Sequence, residues 1–336
     1  MKINLTFVLI VFFSLVGCEK TSKPLFLEGS TMGTTYHITL VNVPQNLPEE
    51  NLKQNIDTLL DKVNQQMSTY KKDSELSLLN QNPSTEWIPI SNALFIVLQE
   101  ALKVSQLSDG AFDITVGTFV NLWGFGPQWH EEKIPTPEMI AEAKQKVGYQ
   151  YLSLQINPPA IRKKRNDIYI DLSGIAKGYG VDVIADFLEQ QGISNYLVEI
   201  GGEMRTKGHN PQGETWKVAV EKPIPNIRAA QTIIPVHDAG IATSGDYRNF
   251  FELNGRRFSH IIDPKTGEPV QTNVVSATIL TPKSCMTADA WAKIPIVMGA
   301  DKALALADRE NVAMYLLLKE GDQFISKSSR AFQTWH

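Results

Sequence analysis

The stretch Asp171-Leu-Ser-Gly-Ile-Ala-Lys-Gly-Tyr-Gly-Val-Asp182 decides how this chain is read. Apolar residues alternate from Ile168 to Leu172, the period of a buried strand. The chain then turns through Ser173-Gly174 and enters a helix that begins near Ile175 and runs to Gln191, where Gly192 ends it. Such a turn aims backbone N–H groups and the positive end of a helix dipole at one spot. Lys177 adds a mobile cation in the first turn, and Asp171 adds a carboxylate at the strand end. Anionic phosphate is the natural ligand of such a place, with a divalent metal between phosphate and carboxylate. An ordinary strand-to-helix turn, with Gly174 and Gly178 serving close packing, accounts for the same residues, so the stretch alone leaves both readings open.

Before this stretch, Leu25 to Val43 is strand-like, and helical periodicity marks Glu49 to Met67, Asn92 to Leu107 and Thr136 to Val147. The Thr136-Pro137 pair suits a helix start. After it, strands dominate: Tyr196 to Ile200, Trp216 to Val220, Thr232 to Val236, Arg257 to Ile262 and Val274 to Leu280. Thr287 to Met298 and Asp301 to Asp308 read as helices, with Pro295 expected to kink or end the first. Ala313 to Leu318 and Gln323 to Ser326 form a closing hairpin. The pattern predicts an α+β fold: mixed, largely antiparallel sheets with helices packed on one face, in a single unit without internal repeats.

The N-terminus reads as a processing signal. Lys2 precedes an apolar run from Leu5 to Val16, shorter than the roughly 20 residues a spanning helix needs. Leu15-Val16-Gly17-Cys18 resembles a lipobox, so residues 1–18 are expected to be a lipoprotein signal whose Cys18 becomes the lipidated first residue. Residues 19–28 are then a tether and residues 29–336 the folded domain. This implies an exported protein, lipid-anchored to a bacterial membrane and facing the periplasm or the cell exterior. With Cys18 lipidated, Cys285 has no disulfide partner and reads as packing. No Cys/His cluster has zinc spacing. A net charge of -4 over 336 residues argues against a nucleic-acid partner. The basic run Arg162 to Arg165 reads as a solvated hairpin turn, with contact to anionic lipid headgroups as the alternative.

Several short segments combine glycine, acid and hydroxyl residues beyond the needs of turns. They are Gly29 to Tyr36, Met67 to Leu76, Asp109 to Gly117 with Leu122 to Gly126, Glu199-Ile-Gly-Gly-Glu203, Ser259 to Gly267, and Thr287-Ala-Asp-Ala-Trp-Ala292. In this order, with the Asp171 block, they resemble the FAD:protein FMN transferase (ApbE) family, from about Gly29 to about Gly299.

The resemblance implies an ApbE-like, T-fold-like unit. It also implies magnesium-dependent transfer of FMN from FAD, through its phosphate, to a threonine or serine hydroxyl of a target protein, with AMP leaving. FAD and Mg2+ are the implied cofactors, and flavin-carrying subunits of membrane redox complexes the implied partners. By the family pattern Met32, Tyr70, Ala111, Phe112, Asp113, Asp171, Lys177 and Ile262 would contact FAD. Gly174, Asp289, Ala292 and Lys293 fall at the metal positions, and His260 is the candidate general base. One departure stands out: the family usually carries Thr or Ser four residues after the Asp of Thr-Ala-Asp, and this chain carries Lys293. A protonated ammonium cannot ligate magnesium; it either swings away or replaces the metal's charge. Water attacking the same phosphate would make an FAD pyrophosphatase instead, and Lys293 favours a third reading, a non-catalytic flavin-binding lipoprotein. Glu199 and Glu203 are divided between a structural role and nucleotide contact, while Trp123 and Phe125 read as packing.

Overall fold

The computed structural model describes residues 23–335 apart from 128–133, 223–229, 246–249, 254–255 and 283. The signal sequence with Cys18 and the first part of the tether lie outside the described residues. Strands β1 (Leu25–Thr31) and β2 (Thr34–Val41) form a hairpin, followed by helices α1 (Glu49–Met67) and α2 (Glu75–Gln81), strand β3 (Ile88–Pro89) and helix α3 (Asn92–Leu107). Next come helices α4 (Gly117–Leu122) and α5 (Pro137–Lys144), strands β4 (Leu152–Gln155) and β5 (Ala160–Lys163), and helix α6 (Ala176–Gln190). Strands β6 (Asn195–Ile200), β7 (Glu203–Lys207), β8 (Trp216–Glu221), β9 (Ala230–Val236) and β10 (Ala239–Ser244) follow. After them run β11 (Phe250–Leu253), β12 (Arg256–Ser259) and β13 (Val274–Pro282). Helices α7 (Cys285–Met298) and α8 (Ala300–Glu310), strands β14 (Ala313–Glu320) and β15 (Gln323–Ser328), and helix α9 (Arg330–Gln333) close the chain.

One sheet organises these elements, in the order β1-β2-β6-β7-β10-β13-β14-β15, with every neighbouring pair antiparallel. Alternate residues face opposite ways. On one face, Tyr36, Ile38, Val198 and Ile200 share a core with α1 and α6. Along the same face, Ala242, Ala277, Ile279 and Leu316 share a core with α3, α7 and α8. On the other face, Ile241, Leu280 and Leu317 are covered by the β8–β9 ribbon through Trp216, Val218 and Ile234. The α+β architecture and its antiparallel sheet are those the sequence pattern predicts.

Helix α1 buries Leu52, Ile56, Leu60, Val63 and Met67, the three-to-four spacing of a single apolar stripe. Helix α7 is different: nearly every residue from Ala288 to Ile296 is buried, Asp289 included. Two glycines admit it. A Cβ on Gly178 would lie 2.5 Å from the Cys285 carbonyl oxygen, and one on Gly240 would lie 2.4 Å from the Cys285 nitrogen. The helix start is held by Ser284, which accepts from Thr287 N–H at 3.2 Å. Asp182 accepts from the N–H groups of Cys285 (2.9 Å) and Met286 (3.0 Å). Cys285 is fully buried, as its reading as a packing residue requires.

The structure corrects several expectations. Strand β1 begins at Leu25, so Leu25 to Glu28 belong to the sheet and not to the tether. Ile168 to Leu172 form no strand, although Ile168, Ile170 and Leu172 are buried. The Asn80 side chain satisfies that backbone in place of a strand neighbour, accepting from Ile170 N–H and donating to Ile170 O, both at 2.8 Å. Pro295 does not end α7, which continues to Met298 and stops at Gly299 (φ +84°). A proline removes one N–H from the ladder, and the burial around Ile294 and Ile296 holds the helix through it. The expected strand Arg257 to Ile262 stops at Ser259, leaving His260 to Ile262 outside it. The basic run is no solvated turn: Arg162 and Lys163 lie in β5. Lys163 is fully buried and donates to Leu79 O (3.0 Å) and Asn82 O (2.6 Å) at the end of α2. Among the described residues, no helix is long and apolar enough to cross a membrane.

Candidate active site

A cleft of about 1280 Å³ opens where the β1–β2 turn, the loop after α1, the start of α6 and the segment after β12 converge. Its wall is built by local chemistry. Met32 and Gly33 form the two-residue β1–β2 turn, both with positive φ (50° and 73°), the geometry of a type I′ hairpin. That turn places Met32 over the cleft against Gly180 of α6. Ser74 caps α2 and donates to Ser68 O at 2.5 Å, folding the 68–74 loop so that Tyr70 stands at the rim, 69% exposed. Asp171 accepts from Ser173 N–H at 2.8 Å, and its own N–H donates to Ile114 O. Burial, and then the Asp171 charge, push the Tyr70 phenol above its ordinary value.

The expected site residues converge well. Met32, Tyr70, Ala111, Phe112, Asp113 and Asp171 all line the cleft. So do Gly174, Lys177, His260, Ile262 and Lys293. Asp289 and Ala292 do not; both are fully buried behind Lys293. Asp113 lies at the wall, but its Oδ1 accepts from Thr115 N–H (2.8 Å) and Oγ1 (2.7 Å), and its Oδ2 from Tyr149 N–H (2.8 Å). Its carboxylate therefore serves the loop, and burial pushes it above the ordinary range. His260 sits edge-on to Phe125, ring centroids 6.5 Å apart. Three residues on, Asp263 Oδ1 accepts from Lys265 N–H at 2.8 Å within its own turn. Trp123 is packing, as expected, with its indole N–H donated to Gly267 O at 2.8 Å.

The electrostatic centre is a four-member cluster at the start of α6. Lys177 pairs with Glu203, which is almost wholly buried. Lys293 pairs with Asp289 Oδ1 at 2.8 Å, and Gly178 N–H donates to Asp289 Oδ2 at 3.0 Å. Burial opposes the Lys177 charge, but the carboxylates of Asp289 and Glu203 outweigh it and hold the ammonium above the ordinary lysine value. Burial and then Asp289 raise Glu203 above the ordinary glutamate value, against Lys177 and Lys293. The Glu199 and Glu203 question resolves into two roles. Glu199 accepts from Gly202 N–H (2.5 Å) and meets His37 (2.7 Å), whereas Glu203 lines the cleft. Sequence reasoning did not single out Thr243, Ser244 or Gly245, which also line it; they end an ordinary strand and carry no local signal.

The residues at the implied magnesium positions do not make a complete site for that ion. Magnesium is held by one or two free carboxylates, with waters and substrate phosphates completing about six oxygen ligands. Here the one carboxylate at those positions, Asp289, has both oxygens engaged, and Lys293 supplies an ammonium where the resemblance led to the expectation of a hydroxyl. Among the described residues, no group of three or more His, Cys, Asp or Glu is arranged to hold a metal.

Comparison with known proteins is consistent along almost the whole chain. It is 47% identical over 319 residues to an FAD:protein FMN transferase of Vibrio cholerae, covering 95% of each. It is 40% identical over 330 residues to one of Escherichia coli K12, covering 95% of this chain and 93% of the other. The solved flavin transferase ApbE from Vibrio cholerae superposes with a TM-score of 0.87 at 44% identity, covering 94% of this chain and 100% of that one. Residues 32–316, which include every cleft-lining segment described above, match the ApbE family, and to that family this chain belongs.

Proposed function

We propose that this chain binds FAD in the cleft and transfers the FMN moiety to a threonine or serine hydroxyl of a target flavoprotein subunit, releasing AMP. The observation that carries this reading is the convergence of Tyr70, Phe112, Lys177 and His260 from separate parts of the chain on one cleft. A volume of about 1280 Å³ suits a ligand of dinucleotide size. Met32, Tyr70 and Phe112 offer the apolar and aromatic surface that flavin and adenine rings require. Lys177 and Lys293 put positive charge beside the start of α6, where a pyrophosphate is favoured.

In this reaction the acceptor hydroxyl oxygen attacks the phosphorus of the FMN half. The bond from that phosphorus to the bridging oxygen breaks, and its electron pair leaves with AMP. The hydroxyl proton passes to the imidazole of His260, which stands at the cleft beside Phe125. No step is routed through magnesium, whose ligand set is incomplete here. Export and lipidation at Cys18 would hold the enzyme on a bacterial membrane, facing the periplasm or the exterior, beside flavin-carrying subunits of membrane redox complexes.

The test is mass spectrometry of a flavin-acceptor subunit incubated with the protein and FAD. The expected result is a mass gain equal to the FMN moiety with matching AMP. His260→Ala should abolish the gain and leave FAD binding intact. FMN and AMP with an unmodified acceptor would replace the transferase with an FAD pyrophosphatase; unchanged FAD would leave a flavin-binding protein.

A further inference from the structure

The position of Lys293 carries more than an incomplete metal site. It lies one helical turn after Asp289 on α7, and its side chain reaches the cleft, about one-fifth exposed. Its Nζ is 2.8 Å from Asp289 Oδ1 and 3.4 Å from Asp289 O. Its stem lies over Gly174: a Cβ on that glycine would be 3.7 Å from Lys293 Cγ and 3.9 Å from Cε. Lys293 therefore fills the space between Gly174 and Asp289, two of the positions assigned to the ion by resemblance. Phe112 closes the other side of Gly174, 3.1 Å from the same Cβ position.

Charge balance agrees with the geometry. Lys177 is paired with Glu203 and Lys293 with Asp289, so each ammonium already has a carboxylate partner before any ion arrives. A divalent cation at Asp289 would have to displace the ammonium or sit beside it at contact distance in a partly buried site. Here the compensation of Asp289 is covalently part of α7.

We propose that Lys293 takes the place of the divalent ion in this chain. Anchored on Asp289, its ammonium meets the FAD pyrophosphate and stabilises the negative charge on the departing AMP, so that FAD binding and transfer do not need magnesium. The inference rests on the FAD-dependent reading of the cleft. The ammonium acts as a hydrogen-bond donor: Asp289 takes two contacts, its Oδ1 at 2.8 Å and its carbonyl at 3.4 Å, and one N–H remains for a phosphate oxygen. The electron pair of the broken phosphorus–oxygen bond stays on AMP, and the hydroxyl proton still goes to His260.

The experiment is a pair of binding titrations on the EDTA-treated protein. Mn2+ uptake is followed by electron paramagnetic resonance with FAD saturating, against free FAD as control. FAD affinity is read by fluorescence in EDTA and in magnesium. The parent should take up no more Mn2+ than free FAD does, and its FAD Kd should differ less than about twofold between the two conditions. Lys293→Thr should gain a Mn2+ site that Asp289→Asn removes, and its FAD Kd in EDTA should weaken about tenfold and recover with magnesium. One Mn2+ per parent chain, with FAD binding about tenfold tighter in magnesium, would overturn the proposal, and that measurement needs no variant. Lys293→Thr binding FAD in EDTA as tightly as the parent would overturn it too. Because the titrations read binding and acceptor labelling reads transfer, the two readings fail separately. Metal-indifferent FAD binding without acceptor labelling removes the transferase reading alone. Labelling that EDTA abolishes, with Mn2+ bound by the parent, removes this one alone.

Discussion

Gly178 and Gly180 lie two residues apart in α6, yet alanine should be costly at the first and nearly neutral at the second. At Gly178 the new Cβ would stand 2.5 Å from Cys285 O and 2.7 Å from Cys285 C and Met286 Cα. All three are backbone atoms, so no rotamer change relieves the contact, and ordinary contact requires the two helices to separate by about 1 Å. The start of α7 cannot simply retreat, because Gly240 presses on Cys285 from β10. Overpacking of this kind costs about 3 kcal/mol. Alanine's helix propensity returns about 1 kcal/mol. Stretching the Gly178 N–H bond to the buried Asp289 carboxylate adds about 1 kcal/mol, for a net loss near 3 kcal/mol. At Gly180 the nearest atom is the end of the flexible Met32 side chain, at 2.9 Å, with Ile200 Cδ1 at 3.4 Å. Met32 can yield, and the propensity gain leaves Gly180→Ala within about 0.5 kcal/mol of the parent. Urea unfolding followed by tryptophan fluorescence measures both, and FAD titration reads whether Asp289 and Lys293 have moved. Equal stabilities for the two variants would refute the close α6–α7 packing that positions the charge cluster.

Two further outcomes follow from side chains outside that cluster. Tyr70→Ala should weaken FAD binding about tenfold, the scale of losing one stacking partner, while leaving the urea midpoint unmoved because the ring is 69% exposed. An unchanged Kd would remove Tyr70 from the binding surface. Lys163→Met should cost about 2 kcal/mol at neutral pH, since it strands the carbonyls of Leu79 and Asn82. Burial holds Lys163 below its ordinary 10.5. Between that lowered value and 10.5 the unfolded chain keeps a proton that the folded chain has released, so the parent should gain stability relative to the variant as pH rises through this window. A pH-independent difference between their urea curves would show that the ammonium is not desolvated.

How much of this was legible beforehand depended on whether each feature is local. The strand-like run from Leu25 and the apolar stripe of α1 are set within a few residues, and their sequence signals point to the right elements. Ile168 to Leu172 misled because alternation reports burial, not hydrogen bonding. The amide of Asn80, from a helix far earlier in the chain, takes the place of a neighbouring strand. Lys163 misled in the reverse sense: a run of four basic residues looks solvated, yet strand alternation turns one of them inward, where the carbonyls ending α2 receive it. At the site, the segments could be named one by one, but the partner of each charge could not. Lys177 meets Glu203 only because β7 lies beside β6 and α6 packs across both, and no spacing along the chain encodes that pair. Lys293 is the instructive intermediate. Its spacing from Asp289 is local, so the departure was visible in sequence. Whether the ammonium swings away or stays depends on Gly174 and the charge balance with Lys177 and Glu203, which only the folded chain brings together. Those contacts favour its staying, because leaving would strand a wholly buried carboxylate with only the Gly178 N–H and the more distant Lys177 to answer it.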